Sequence, residues 1–150
     1  MASPNNVPKA RLATCNCLAL RQAARHVTQF YDQVLAPSGL RTTQFSVLAK
    51  LHHLGPMTIN HLAKHLVMDR TTLGRNILPL QRDGLIAAIR GTTDRRSKEL
   101  HVTTAGEARL RAATKLWAMA QDRFEAVIGA PRASALRTVL GGISVKEFVR

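Results

Sequence analysis

Apolar residues return at alternating steps of three and four over residues 12–35, with Cys17, Leu20, Ala24, Val27, Tyr31 and Val34 in one row. That spacing predicts an amphipathic first helix whose seam suits another helix. Pro37-Ser38-Gly39 ends it, because proline disfavours a helical conformation in the residue before it and glycine permits a turn. A second helix is predicted over 43–53, on Phe45, Leu48 and Leu51, with Gly55-Pro56 as its stop. A third opens at Thr58, whose hydroxyl can cap it, and carries Ile59, Leu62, Ala63 and Leu66. Asp69 caps a fourth, which passes Leu73, Ile77 and Leu80 to Gly84. Inside this helix Pro79 costs about 3 kcal/mol and Gly74 about 1 kcal/mol relative to alanine, so a kinked or shortened helix is expected.

After Gly84 the period changes. Residues 85–90 and 98–103 are short strand-like runs on either side of Gly91-Thr92-Thr93-Asp94-Arg95-Arg96-Ser97, a polar, basic loop. Thr103 or Thr104 can cap a long fifth helix, in which Leu110, Ala113, Trp117, Ala120, Phe124 and Val127 again step by three and four until Gly129-Ala130-Pro131. A short last helix with Leu136, Val139 and Leu140 meets Gly141-Gly142, and the first seven residues read as a loose tail. The fold class expected is mainly α with one small β-hairpin. Three short helices followed by a hairpin with a charged tip have the outline of a winged helix-turn-helix.

Charge then narrows the function. The 150 residues carry a net charge of +13 on a globular composition, 45% hydrophobic and 21% charged, so the basicity belongs to a folded domain rather than a disordered polycation. No run approaches the roughly 18 apolar residues of a membrane span, and the opening residues lack the apolar core of a signal peptide. A soluble, cytoplasmic protein without membrane partners is expected. Ten Lys and Arg face three Asp between residues 41 and 98, which centres the excess on the third and fourth helices and the hairpin and points to an anionic partner. A helix fits the major groove of double-stranded DNA, and its N-terminal residues meet base edges. Here those are Arg70, Thr71, Thr72, Arg75 and Asn76, while Arg95, Arg96 and Lys98 at the hairpin tip suit the minor groove and its phosphates. No phosphate loop, nucleophile elbow or paired carboxylates suggest an enzyme, and no cofactor is called for. Two other classes remain open: a protein that coats nucleic acid without sequence preference, and an adaptor that works through its helical seams.

TTQFSVLAKL, LAKHLVMDRTTLGRNILPLQRDGLI and DRRSKELHVTTAG together resemble the multiple-antibiotic-resistance regulator (MarR) family of bacterial transcription factors, over nearly the whole chain. The last segment is similar to the family's wing signature, with Asp94 positioning the wing beside Arg96. The resemblance implies a homodimer held by its first and last helices, with two recognition helices in successive major grooves of a palindromic site. The seams point the same way, since a winged-helix core does not need a first and a fifth helix of that length. Residues 1–150 are therefore expected to form one domain, with 41–103 binding DNA and 1–36 and 104–150 forming the dimer.

Family members respond to ligands or oxidants, and the candidate sensor is Thr14-Cys15-Asn16-Cys17. With Thr14 as cap, Cys17 would stand third in the helix, where unpaired N–H groups and the helix dipole favour a thiolate, the form peroxides attack. The resemblance to the family's organic-hydroperoxide sensors extends to Tyr31, fourteen residues on, which matches a tyrosine that contacts the reactive cysteine. A second tyrosine position of that subgroup is Arg21 here. The plain alternative makes Cys17 a small apolar residue of the dimer seam. A soft-metal site at Cys15 and Cys17 ranks below both, because residues two apart on a helix point away from each other. His61 and His65, four apart, lack the glutamate of a catalytic metal helix and read as surface histidines near phosphate. Trp117, Phe124 and Tyr31 read as core before ligand pocket.

Overall fold

A computed structural model describes residues 12–148, so the predicted tail lies outside the described residues. The elements are α1 (Asn16–Leu35), a 3-10 turn (Ala36–Ser38), α2 (Thr42–Leu54), β1 (Met57–Thr58), α3 (Ile59–Leu66), α4 (Arg70–Arg82), β2 (Ile86–Arg90), β3 (Lys98–Val102), α5 (Thr104–Ile128), α6 (Ala130–Gly141) and α7 (Val145–Phe148). The three strands form an antiparallel sheet in the order β1-β3-β2. This is a winged helix-turn-helix: α2, α3 and α4 close on a leucine-rich core, the sheet covers its edge, and α1, α5 and α6 extend from it.

Helix starts follow the side chains that can accept from freed N–H groups. Thr58 Oγ1 accepts from His61 N at 3.3 Å, Asp69 Oδ1 from Thr72 N at 2.8 Å, and Thr103 Oγ1 from Gly106 N at 3.0 Å. The first helix departs from expectation. Cys15, in extended conformation, is its cap, with Sγ accepting from Leu18 N at 3.4 Å, so the helix proper begins at Asn16 and not near Leu12. Apolar spacing reports which side chains share a face and is blind to a one-residue break in the backbone.

Two elements escaped the sequence. β1 is two residues long, too short to alternate, yet Met57 and Thr58 pair with Leu100 and Glu99 of β3. The four residues of α7 make less than one helical repeat of apolar pattern.

The fourth helix is not shortened: it runs through Pro79 to Arg82, where Asp83 N bonds back to Pro79 O at 2.9 Å. Its apolar face explains why. Leu73, Ile77 and Leu80 are all almost fully buried, and at roughly 2 kcal/mol per buried side chain they outweigh the combined proline and glycine penalty of about 4 kcal/mol. The turn before it places Val67 in the left-handed region at φ 52°, so that its N–H closes α3 on the Ala63 and Lys64 carbonyls.

The wing and the long helix α5 meet at one tight junction. Thr103 N donates to Leu85 O at 3.1 Å, and Thr103 Oγ1 donates to Gly84 O at 2.6 Å. Gly106 then packs so closely that a Cβ would lie 2.1 Å from the Leu85 carbonyl oxygen. Backbone against backbone cannot yield by a rotamer change. Gly106→Ala is therefore expected to destabilise the fold by about 1–3 kcal/mol and to lower the Tm by several degrees, read by thermal circular dichroism; an unchanged Tm would mean the junction is looser than its geometry.

Candidate nucleic-acid interface

On a helix of 3.6 residues per turn, the buried side of α4 fixes what its other side presents. Thr71, Arg75, Leu78 and Arg82, at steps of four, three and four, lie opposite Leu73, Ile77 and Leu80, and all four are exposed. Arg70, at the first helical position, is also exposed and shares a cleft with Lys98 at the start of β3. Among the described residues, Arg70, Arg75, Arg95, Arg96 and Lys98 take part in no ion pair, while Arg82 lies 3.8 Å from Asp83. Their guanidinium and ammonium groups are free for an anionic partner.

Two of the predicted base-reading residues are engaged within the helix. Thr72 donates its hydroxyl to Asp69 Oδ2 at 2.6 Å, and Asn76 Nδ2 donates to the Thr72 carbonyl at 2.9 Å with the Asn76 side chain half-buried. Both serve first to hold the start of α4.

The wing tip is built on Asp94. Its Oδ1 accepts from the Arg96 backbone N–H at 2.9 Å, and its carbonyl accepts from Ser97 Oγ at 2.8 Å and Ser97 N at 3.1 Å. Asp94 thus bonds to the backbone of Arg96 and leaves the two arginine side chains pointing to solvent. Gly91 lets the loop close, since a Cβ there would stand 2.8 Å from the Asp94 carbonyl oxygen.

At the other end of the chain the cysteines share the first turn of α1. Cys15 caps it, half-buried, and Cys17 is exposed at the second helical position rather than the third. The structure does not bring Tyr31 to the Cys17 of its own chain: fourteen residues of helix separate them by about 21 Å. Tyr31 is buried and donates its hydroxyl to Gln121 of α5. Burial, and then the Glu125 carboxylate, push its phenol above the ordinary value of 10.0, with Arg137 opposing. Trp117 stacks on Phe45 with ring centroids 6.0 Å apart, and His61 and His65 are exposed. Among the described residues no group of three or more His, Cys, Asp or Glu could hold a metal ion, and no helix is long and apolar enough to cross a membrane.

Sequence reasoning missed the side chains that fasten α1 and α5 to this interface. Asp32 Oδ1 accepts from the Thr42 N–H at 2.7 Å, and Arg109 Nη1 donates to Ser38 O at 3.1 Å. Their partners are main-chain groups ten and seventy-one residues away, which no local pattern signals.

The hydrogen bonds from Thr72 hold the Asp69 carboxyl below its ordinary value of 3.8. A carboxylate whose folded value is depressed stabilises above its unfolded value and loses that effect as pH falls through the folded one. Asp69→Ala is accordingly expected to lower the urea midpoint at neutral pH, with the gap to wild type closing as the medium is acidified below pH 3.8. A gap independent of pH would contradict the ionised cap.

Comparison with known proteins agrees with this architecture. The MarR family model matches residues 40–98. The DNA-bound crystal structure of the Mycobacterium tuberculosis transcriptional regulator MosR is 40% identical, covers 85% of this chain and 93% of its own, and superposes with a TM-score of 0.73. The transcriptional repressor CouR, bound to a 23-mer DNA duplex, is 29% identical over 91% of this chain and 97% of its own, with a TM-score of 0.80. The HTH-type regulator YwoH of Bacillus subtilis is 32% identical over 88 residues, which span 59% of this chain and 64% of that protein. By its winged-helix core and these likenesses the chain belongs to the MarR family of transcriptional regulators.

Proposed function

We propose that this chain is a homodimeric repressor that binds a palindromic DNA site through α4 and the wing and is released by a chemical signal at the helical end. One observation carries the reading: α4 and the wing bring together exposed cations without ion-pair partners, while most of the exposed large apolar side chains lie on α1, α5 and α6. Arg70 and Arg75 on α4 and Arg95, Arg96 and Lys98 on the wing make up that cationic group. Leu20 is 44% exposed, Val127 83% and Val139 65%, on α1, α5 and α6. Together with Leu136 and Leu140 these helices border an apolar groove of about 460 Å³. Surface of that kind marks a protein partner, and a second copy turns one recognition helix into two. Residues 41–103 then bind DNA, while α1, α5 and α6 join the protomers.

Within α4, Arg75 and Thr71 face the base edges and Arg70 the flank, with Thr72 and Asn76 holding the helix start. Arg95, Arg96 and Lys98 reach the adjacent minor groove, and Asp94 sets the tip. The likeness to CouR, a named repressor, supports repression, which follows when the site overlaps a promoter.

The releasing signal is oxidation of Cys17. A hydroperoxide transfers one oxygen to the Cys17 thiol, giving a sulfenic acid and the corresponding alcohol, and Cys15 can then condense with it, releasing water to form a disulfide. Either product disturbs the first turn of α1. The change reaches the DNA-binding region because Asp32 ties α1 to the N–H that opens α2. A second reading rests on the apolar groove and on CouR, whose structure with p-coumaroyl-CoA is also known: a small molecule seated among α1, α5 and α6 would have the same effect.

The dimer should elute at twice the 16.5 kDa of one chain and enrich, from a random double-stranded library, a site with two inverted halves about 10 base pairs apart. Arg75→Ala and Arg96→Ala should each weaken binding to that site by about 1–3 kcal/mol. Equal affinity for every sequence would identify a coating protein instead, and unchanged binding by both variants would remove α4 and the wing from the interface. Mild organic-peroxide treatment should release wild type and not Cys17→Ser. Release of both, or of neither, would set the thiol aside in favour of the small-molecule reading.

A further inference from the structure

We propose that Leu78 is a sequence-reading residue of α4, packing its side chain against the C5-methyl group of a thymine in the major groove. The inference rests on the reading of α4 as a helix that lies in DNA, and it adds to that reading a contact from the half of the helix beyond the first turns. The geometry carries it in three steps. The helix runs through Leu78 and past Pro79 to Arg82, so Leu78 stands in its third turn, one residue before the proline. Leu78 shares the outward face with Thr71, Arg75 and Arg82, and it is 64% exposed while its neighbour Ile77 is 3% exposed. Among the described residues Leu78 is left largely open to solvent, although its inner edge borders the cleft between α4 and the wing strands.

The chemistry then selects the contact. Arg75 on one side and Arg82 on the other draw the face toward phosphate, so the partner that covers Leu78 is anionic on its rims. Among the base edges in the major groove, the group that rewards an apolar side chain is the thymine methyl. Reach is sufficient: seven residues of helix place Leu78 about 10 Å beyond Thr71 along the axis. Base-reading helices use side chains at the same spacing of about three, four and seven residues. The exposed apolar residues of α1, α5 and α6 belong to the other end of the chain, so a protein partner there would leave Leu78 uncovered.

The test uses the full-length dimer and the duplex that wild type enriches from a random double-stranded library. Each thymine is replaced in turn by deoxyuridine, which removes the methyl group alone. One thymine in each half-site should lose about four-fold in affinity when its methyl is removed, the effect of withdrawing one buried methyl-sized contact. Leu78→Ala, at an exposed helical position and with a better helix former, should keep the wild-type melting temperature. It should bind the parent duplex about four-fold more weakly and be indifferent to that same methyl. Three results would overturn the proposal while leaving specific DNA binding intact: no thymine methyl matters to wild type, Leu78→Ala binds as wild type does, or Leu78→Ala is weaker yet as sensitive to each methyl as before. If wild type enriches no site at all, the DNA reading falls and this inference with it.

Discussion

The burial of one narrow apolar face, Leu73, Ile77 and Leu80 on α4, governs the rest of the interface. Those three side chains leave one rotational setting in which the helix can dock on α2 and α3. Once docked, the stripe through Thr71, Arg75 and Arg82 has nowhere to go but outward. The same burial keeps the helix intact across Pro79, whose missing N–H leaves the Arg75 carbonyl without its usual intrahelical donor. A weaker face would have let the helix end before the proline and would have removed the third turn from any surface the protein can present. Orientation and length of α4 are thus two consequences of one packing contact.

That contact acts through a frame held by a few long-range bonds to main chain. The Thr103 and Gly106 junction fixes where β3 ends and α5 begins, and with it the base of the wing. Asp32 and Arg109 bind the start of α2 and the turn before it to α1 and α5. Because these bonds run to backbone groups, they fix the path of the chain rather than one side chain. They join α1 and α5 to the start of α2 as whole elements. The burial of α1 is uneven along its length: Tyr31 and Leu35 are sealed near the frame, whereas Leu20 and Val27 remain exposed beyond it.

Much of this was legible in the sequence because it rests on local chemistry. The caps Thr58, Asp69 and Thr103 act within three residues of themselves, and the buried rows of α3, α4 and α5 are the periodic ones. The wing was readable from its change of period and its run of charge. What stayed hidden depends on distant partners or on small breaks. β1 exists because β3 offers it an edge, and the cap at Cys15 breaks the backbone just before the apolar row begins at Cys17. At Pro79 the expected shortening does not occur, because tertiary burial overrules the local penalty. For Tyr31 the spacing from Cys17 is legible and its bond to Gln121 of α5, ninety residues on, is not.

The interface also shows why residue type is an incomplete guide to recognition. Threonine and asparagine are suited to phosphate and base edges, yet Thr72 and Asn76 have donors already engaged inside α4. A donor in an intact hydrogen bond offers a partner less than its formula suggests, since using it elsewhere requires that bond to break, at about 0.5–1.5 kcal/mol for an ordinary pair. In this helix, breaking the Asp69–Thr72 bond would also loosen the cap that aims the helix. Arg70, Arg75, Arg95, Arg96 and Lys98 have no ion-pair partner to give up, so they can meet an anion without disturbing the fold that presents them.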